Sequence, residues 1–205
     1  MIEFFFDCSS PWTYLAFHNL QPMAREFGVE VRWRPILVGG IFNSVNPSVY
    51  EFRTRGVPAK QLYQLKDLQD WARKAGLTLE FPPAVFPVNS VKAMRGCLLL
   101  EPDGKLLPFA SEVFAAYWTH GQDISRDDVL ADLCTRVGVE PQRFFEGIAR
   151  PEIKAQLKAN TDEVIARGGF GSPTMFVGGD DMYFGNDRLE LVRDAVLRRQ
   201  AAGVS

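Results

Sequence analysis

The chain is 205 residues long, with 23 Lys and Arg against 25 Asp and Glu, a formal charge of −2. That balance, with no basic run, excludes a nucleic-acid surface, and no apolar run approaches the ~20 residues of a membrane-spanning helix. Hydrophobic residues make up 46%, enough for a real core, and at roughly 100–200 residues per domain the length implies one large domain or one domain carrying an insertion. The opening MIEFFFDCSSPW has an acid at position 3 and no cationic leader, so no signal peptide is expected. Cys8, Cys97 and Cys134 are an odd number, widely spaced, and form neither a CxxC nor a metal-ligand pattern. They lead to the expectation of a soluble protein in a reducing cytoplasm.

Ile2 to Phe6 is a short apolar run with three phenylalanines and reads as a buried strand. Asp7 to Pro11 is a turn. From Trp12, apolar residues at Leu15, Ala16, Leu20, Met23, Ala24 and Phe27 fall at helical spacing, and Gly28 supplies a C-terminal stop. Val29 to Arg34 alternates and predicts a second strand, ended by Pro35. A β-α-β opening of this length predicts a parallel pair. Residues 36–57, rich in Gly, Asn, Ser and Pro, predict a loop with short turns. Helices are predicted over 58–75, 90–100, 107–120, 126–137, 141–146 and 151–168, with a proline-rich connection between Phe81 and Pro87. Acids after Ser125, Pro141, and Pro151-Glu152 mark the last three starts. Pro173 to Val177, the turn Gly178-Gly179-Asp180 and Asp181 to Phe184 predict a hairpin, followed by a helix from Arg188 to about Gln200. The layout is an α/β, thioredoxin-like sheet domain interrupted by a large all-helical insertion. The sheet domain is assigned to residues 1–40 and 166–205, the insertion to 41–165.

Three short segments carry possible chemistry. Ser10-Pro11 opens the first helix, where unpaired N–H groups and a partial positive charge favour an anion. In thioredoxin-like oxidoreductases the reactive cysteine sits here, its thiol acidified by the helix end. The corresponding residues in this chain are Ser10-Pro11-Trp12-Thr13, so a local CxxC exchange is impossible. The Ser10 hydroxyl can instead donate a hydrogen bond to a thiolate from glutathione, although Ser-Pro is also an ordinary helix start. Cys8 is an alternative nucleophile, or simply a buried cysteine. Ser172-Pro173 precedes a strand, either as a trans turn or as a cis-proline turn whose backbone pairs with an extended peptide. Gly185-Asn186-Asp187-Arg188 is either a helix cap or a receptor for a γ-glutamyl group, its carboxylate on the helix end and its ammonium on Asp187.

Together these residues resemble a known family. DxxSPWTYLA (Asp7 to Ala16), RPILVGGIF (Arg34 to Phe42), FPVNSVKAMR (Phe86 to Arg95) and FGSPTMFVGGDDMYFGNDRLELV (Phe170 to Val192) are similar to 2-hydroxychromene-2-carboxylate isomerase, of the DsbA-like group that includes kappa-class glutathione transferases. The resemblance covers nearly the whole chain. It implies a glutathione-dependent homodimer interconverting 2-hydroxychromene-2-carboxylate and trans-o-hydroxybenzylidenepyruvate in the breakdown of naphthalene-like aromatics. It implies Ser10 as the catalytic residue, Ser172-Pro173 as the peptide-pairing turn, and Asn186 and Asp187 as the γ-glutamyl pair, with Arg188 in support. By the same resemblance Lys60 and Asn46 are brought toward glutathione. Asn43 stands where the family often has a lysine for the substrate carboxylate; Arg53, Arg55 or Lys92 are candidates to compensate. Trp12, Phe42, Tyr63 and Phe86 are candidate walls for a flat aromatic acid, or core residues between sheet and insertion. A kappa-like transferase and a non-catalytic glutathione- or partner-binding module are the alternative functions.

Overall fold

A computed structural model describes residues 1–203, apart from the side chains of residues 52–54. The sheet has the order β2-β1-β3-β4. Its strands are β1 (Ile2–Phe6), β2 (Val31–Pro35), β3 (Thr174–Val177) and β4 (Asp181–Phe184). β1 pairs parallel with β2, from Ile2 opposite Val31 to Phe6 opposite Pro35, and antiparallel with β3, which turns back into β4. The predicted parallel pair and hairpin are both present. Pro35 belongs to β2 instead of ending it; β2 is an edge strand, where the missing N–H of a proline breaks no interior ladder.

β1 is apolar on both faces because both are covered. Ile2, Phe4 and Phe6 join the main core with Leu15, Phe17 and Phe114, while Phe5 joins a second cluster with Ile36, Ile41, Val164 and Phe176. Each such phenylalanine contributes roughly 1.5–3 kcal/mol by leaving water. On the first face lie α1 (Pro11–Glu26) and α10 (Leu189–Ala201), the latter entered through a 3-10 turn at Asn186–Arg188. Between β2 and β3 the chain forms α2 (Val38–Ser44), α3 (Ser48–Arg55), α4 (Pro58–Lys74), α5 (Val91–Leu100), α6 (Leu106–Trp118), α7 (Asp127–Arg136), α8 (Pro141–Ile148) and α9 (Pro151–Ala166). The main core runs without interruption from the sheet into α5, α6, α7 and α8.

The segment read as a loop over 36–57 holds α2 and α3. α2 has no side-chain cap of its own; the Asp7 carboxylate, 31 residues away in sequence, accepts the Val38 N–H at 2.8 Å. A helix start satisfied by a distant side chain leaves no local signal. α9 is tied to the sheet by Arg34 of β2, which meets Glu3 and Glu163 and donates to Asn160 Oδ1 at 3.1 Å. Arg167 closes this box with Glu3 at 2.8 Å and lies over the Phe176 ring at 3.7 Å.

Candidate active site

α1 begins where β1 ends. Ser10 is its N-cap, with Oγ accepting the Thr13 N–H at 3.2 Å, and Pro11 occupies the first turn. A proline there removes an N–H that has no helical partner in any case. The first turn carries no acidic residue, so nothing within the helix offsets its partial positive charge.

Opposite this helix end is the Ser172-Pro173 bond, which is cis. The turn meets α1 through two side chains. Ser10 Oγ donates to the Ser172 carbonyl at 3.2 Å, and Ser172 Oγ lies 2.7 Å from Thr13 Oγ1. Ser172 Oγ also accepts the Asp7 N–H at 3.0 Å. Asp7 is itself buried; burial pushes its carboxyl above the usual carboxylate range, and the N–H groups of Ser9 and Val38 and the Ser90 hydroxyl oppose that rise.

These segments border a cavity of about 1170 Å³. Its polar floor is Asp7, Ser9, Ser10 and Ser172, and its apolar walls include Trp12, Phe42, Phe86, Phe170 and Phe184. α4 contributes Gln61, Gln64, Leu65 and Leu68, spaced so that one helix face turns inward. The size and the mixture of apolar walls with a few polar groups are those of a small-molecule site.

The structure brings six of the thirteen expected residues together at the cavity. Ser10, Asn46, Ser172, Trp12, Phe42 and Phe86 all line the cavity. Asn46 Nδ2 donates to the Phe170 carbonyl at 3.0 Å, linking α3's approach to the cis-proline segment. Phe86 also belongs to an aromatic group with Phe81 and Trp118, so it serves core and wall alike. Lys60 and Tyr63 are exposed on α4 and are not among the lining residues. Asn43 is exposed, its Oδ1 accepting the Tyr50 hydroxyl at 2.8 Å. Lys92 pairs with Asp127 at 2.6 Å and Arg55 is exposed, while the Arg53 side chain lies outside the described residues. Asn186 and Asp187 border a second depression of about 510 Å³ with Trp71, Lys74 and Arg193. Asn186 is buried, and its side-chain Oδ1 and Nδ2 have no partner among the described residues. The Gly185 N–H just before them donates to the Pro173 carbonyl at 3.1 Å, and Phe184 lines the main cavity. Arg188 pairs with Asp187 at 2.8 Å.

Cys8 is fully buried beside Cys97, and burial drives its thiol well above the ordinary range. It is a core residue, its N–H donating to Met94 Sδ. Sequence reasoning gave no role to Asp7, Gln61, Gln64, Phe170 or Phe184. Asp7 was visible three residues before Ser10, but its partners at Val38, Ser90 and Ser172 come from remote segments.

Among the described residues no helix is long and apolar enough to cross a membrane. The model of the DsbA-like thioredoxin domain matches residues 1–197. The chain is 30% identical over 210 residues to 2-hydroxychromene-2-carboxylate isomerase of Pseudomonas putida, covering 100% of this chain and 99% of that protein. It is 28% identical to glutathione S-transferase kappa 1 of Homo sapiens, covering 93% and 88% of the two chains. A solved structure of a 2-hydroxychromene-2-carboxylate isomerase superposes with a TM-score of 0.83 at 30% identity, over 100% of this chain and 98% of that one. The cis-proline turn facing a cysteine-free helix start, within a helix-interrupted four-stranded sheet, and these likenesses agree: the chain belongs to the DsbA-like thioredoxin family and, within it, to the 2-hydroxychromene-2-carboxylate isomerases, and it is an enzyme of that family.

Proposed function

We propose that the protein is a glutathione-dependent isomerase of a conjugated aromatic acid, interconverting 2-hydroxychromene-2-carboxylate and trans-o-hydroxybenzylidenepyruvate or a close analogue. The single observation that carries the reading is the bond from Ser10 Oγ to the Ser172 carbonyl at 3.2 Å. It places a hydroxyl donor, a helix N-terminus with no acid in its first turn and a peptide segment lining the cavity at one point. That donor set fits a short thiol peptide: the helix end and hydroxyl favour an ionised sulfur, and the Ser172 backbone accepts an amide N–H as in strand addition.

Bound there, glutathione supplies a thiolate that adds reversibly to the conjugated double bond, permits rotation about it, and leaves unconsumed. The chain's own residues set up this chemistry. Ser10 has one proton, which in the free protein goes to the Ser172 carbonyl. An incoming amide N–H takes over that carbonyl and releases the Ser10 hydroxyl to turn toward the sulfur. Trp12, Phe42 and Phe86 hold a flat ring and exclude water. Asn46 stands beside the cis-proline segment as a further glutathione contact. We assign the γ-glutamyl end to Asn186 and Asp187, with Arg188 in support; only Gly185 separates them along the chain from Phe184, which lines the cavity. Lys60 reaches glutathione only if its exposed side chain swings over the cavity mouth. The three buried free cysteines fit a reducing cytoplasm, and a homodimer is the assembly we expect for this family.

Calorimetry at millimolar glutathione, followed by product analysis with a panel of chromene and benzylidenepyruvate acids, tests the proposal. Glutathione that binds and is returned unconsumed supports the isomerase. A stoichiometric conjugate would point to transferase activity instead, and no binding heat would remove the glutathione reading altogether.

A further inference from the structure

Asp7 is bonded to every segment that meets at Ser10. Its Oδ1 accepts the Ser9 N–H at 2.9 Å and its Oδ2 the Val38 N–H at 2.8 Å, and the Ser90 hydroxyl lies close enough to favour the charged form of the same carboxylate. Its backbone N–H donates to Ser172 Oγ at 3.0 Å, and its carbonyl accepts the Ser10 N–H at 3.2 Å. The residue is 1% exposed, yet among the described residues it forms no ion pair with Lys, Arg or His. A buried carboxylate without a cation is costly unless neutral donors satisfy it. Here the turn before α1 and the start of α2 supply those donors, with the Ser90 hydroxyl, just before α5, beside them. An apolar side chain here would leave the Ser9 and Val38 N–H groups without their acceptor, so the position calls for an acceptor, and the segments that acceptor joins are the ones that border Ser10.

We propose that Asp7 is the positioning residue of this site, fixing the Ser10 hydroxyl, the Ser172 carbonyl and the α2 wall in the arrangement that receives the sulfur. The inference rests on the reading of Ser10 as the glutathione thiolate site. Asp7 acts through the groups it holds. It fixes the Ser9-Ser10 turn, so the Ser10 side chain stays at the helix axis. It fixes Ser172 Oγ, which in turn meets Thr13 Oγ1 in the first turn of α1. It fixes Val38, which begins the helix carrying Phe42 into the cavity.

The test is Asp7→Asn. The amide nitrogen must then face a backbone N–H of Ser9 or Val38, so one bond is replaced by two opposed donors. Calorimetry of the variant with glutathione should show binding weakened about tenfold or more, the scale of losing a hydrogen bond to a charged group. The absorbance of bound glutathione near 240 nm, titrated with pH, should show the thiol pKa raised relative to the wild-type complex. Hydrogen exchange of the free protein should show protection lost at Val38 while the β1 and β3 amides stay protected. Ser90→Ala, which removes one donor and no charge, should shift binding and thiol pKa in the same direction by less, and serves if Asp7→Asn does not fold. Unchanged affinity and thiol pKa in a folded variant would overturn the proposal. A lowered thiol pKa would overturn it too, because Asp7 would then act as an opposing charge. Absence of glutathione binding by the wild type would instead remove the reading of Ser10 on which the inference rests.

Discussion

The hydroxyl of Ser10 donates to the backbone carbonyl of Ser172 at 3.2 Å, across 162 positions of sequence. The bond joins the start of the first helix to the cis-proline turn after the last inserted helix. Both partners line the cavity, so the contact joins its two sides.

Ser10→Ala removes both functions of that hydroxyl. Loss of the Thr13 cap should lower stability by about 1 kcal/mol, read as a small shift in a denaturant midpoint. Loss of the donor to sulfur should reduce turnover by ~10²-fold, the scale seen when one preorganised donor to a developing or resident anion is deleted. Turnover within a factor of two of wild type would contradict the assigned role.

The box around Arg34 gives a stability prediction remote from the cavity. Arg34 is nearly buried between β2 and α9, meeting Glu3 at 3.5 Å as well as Glu163. Arg34→Ala leaves Glu3 and Glu163 paired with Arg167 alone, so neither charge is stranded and the loss should be about 1–3 kcal/mol, the scale of lost hydrogen bonds to charged groups. Chemical denaturation should show that loss, with glutathione affinity retained per folded molecule.

Gly96 lies in α5 where a Cβ would come within 2.5 Å of the Phe144 ring and 2.8 Å of Phe109. Both rings are fully buried. Gly96→Ala gains helix propensity but overpacks this contact, and the second effect should win by roughly 1–3 kcal/mol. A thermal midpoint above that of wild type would show that the rings yield more readily than the packing implies.

Cys134 predicts an alkaline dependence. Burial raises its thiol from 9.0 to about 12. The unfolded chain releases this proton near its ordinary value while the folded chain keeps it, so the contribution to stability is intact below pH 9 and is lost as pH rises toward 12. Cys134→Val should flatten the stability profile across that window. Native protein should also resist thiol reagents near pH 8 and react at all three cysteines once denatured.

The strands and most helices were legible because their signals are local: the apolar run of β1, the Ser10-Pro11 cap, Pro141 and Pro151 at helix starts, and the Gly178-Gly179 turn. α2 and α3 were not, because α2 is capped from a distance by Asp7 and the composition of residues 36–57 favours turns. The site shows the same division. Ser10 and Ser172-Pro173 stand out as candidates by type and order, each with an ordinary alternative that only the fold resolves into neighbours. Which face of α4 turns inward does not; Gln61 and Gln64 line the cavity, while their neighbours Lys60 and Tyr63 are exposed. Helical periodicity names a face, but tertiary packing decides what that face meets.

The most direct test of the account is the pKa of the glutathione thiol when bound. A pH titration of thiolate absorbance near 240 nm, with protein in excess over glutathione, reads it in wild type and in Ser10→Ala. A pKa well below that of free glutathione is expected in wild type, returning toward the free value in the variant. A wild-type complex whose thiol titrates as it does in water, or a variant that leaves a depressed value unchanged, would contradict it.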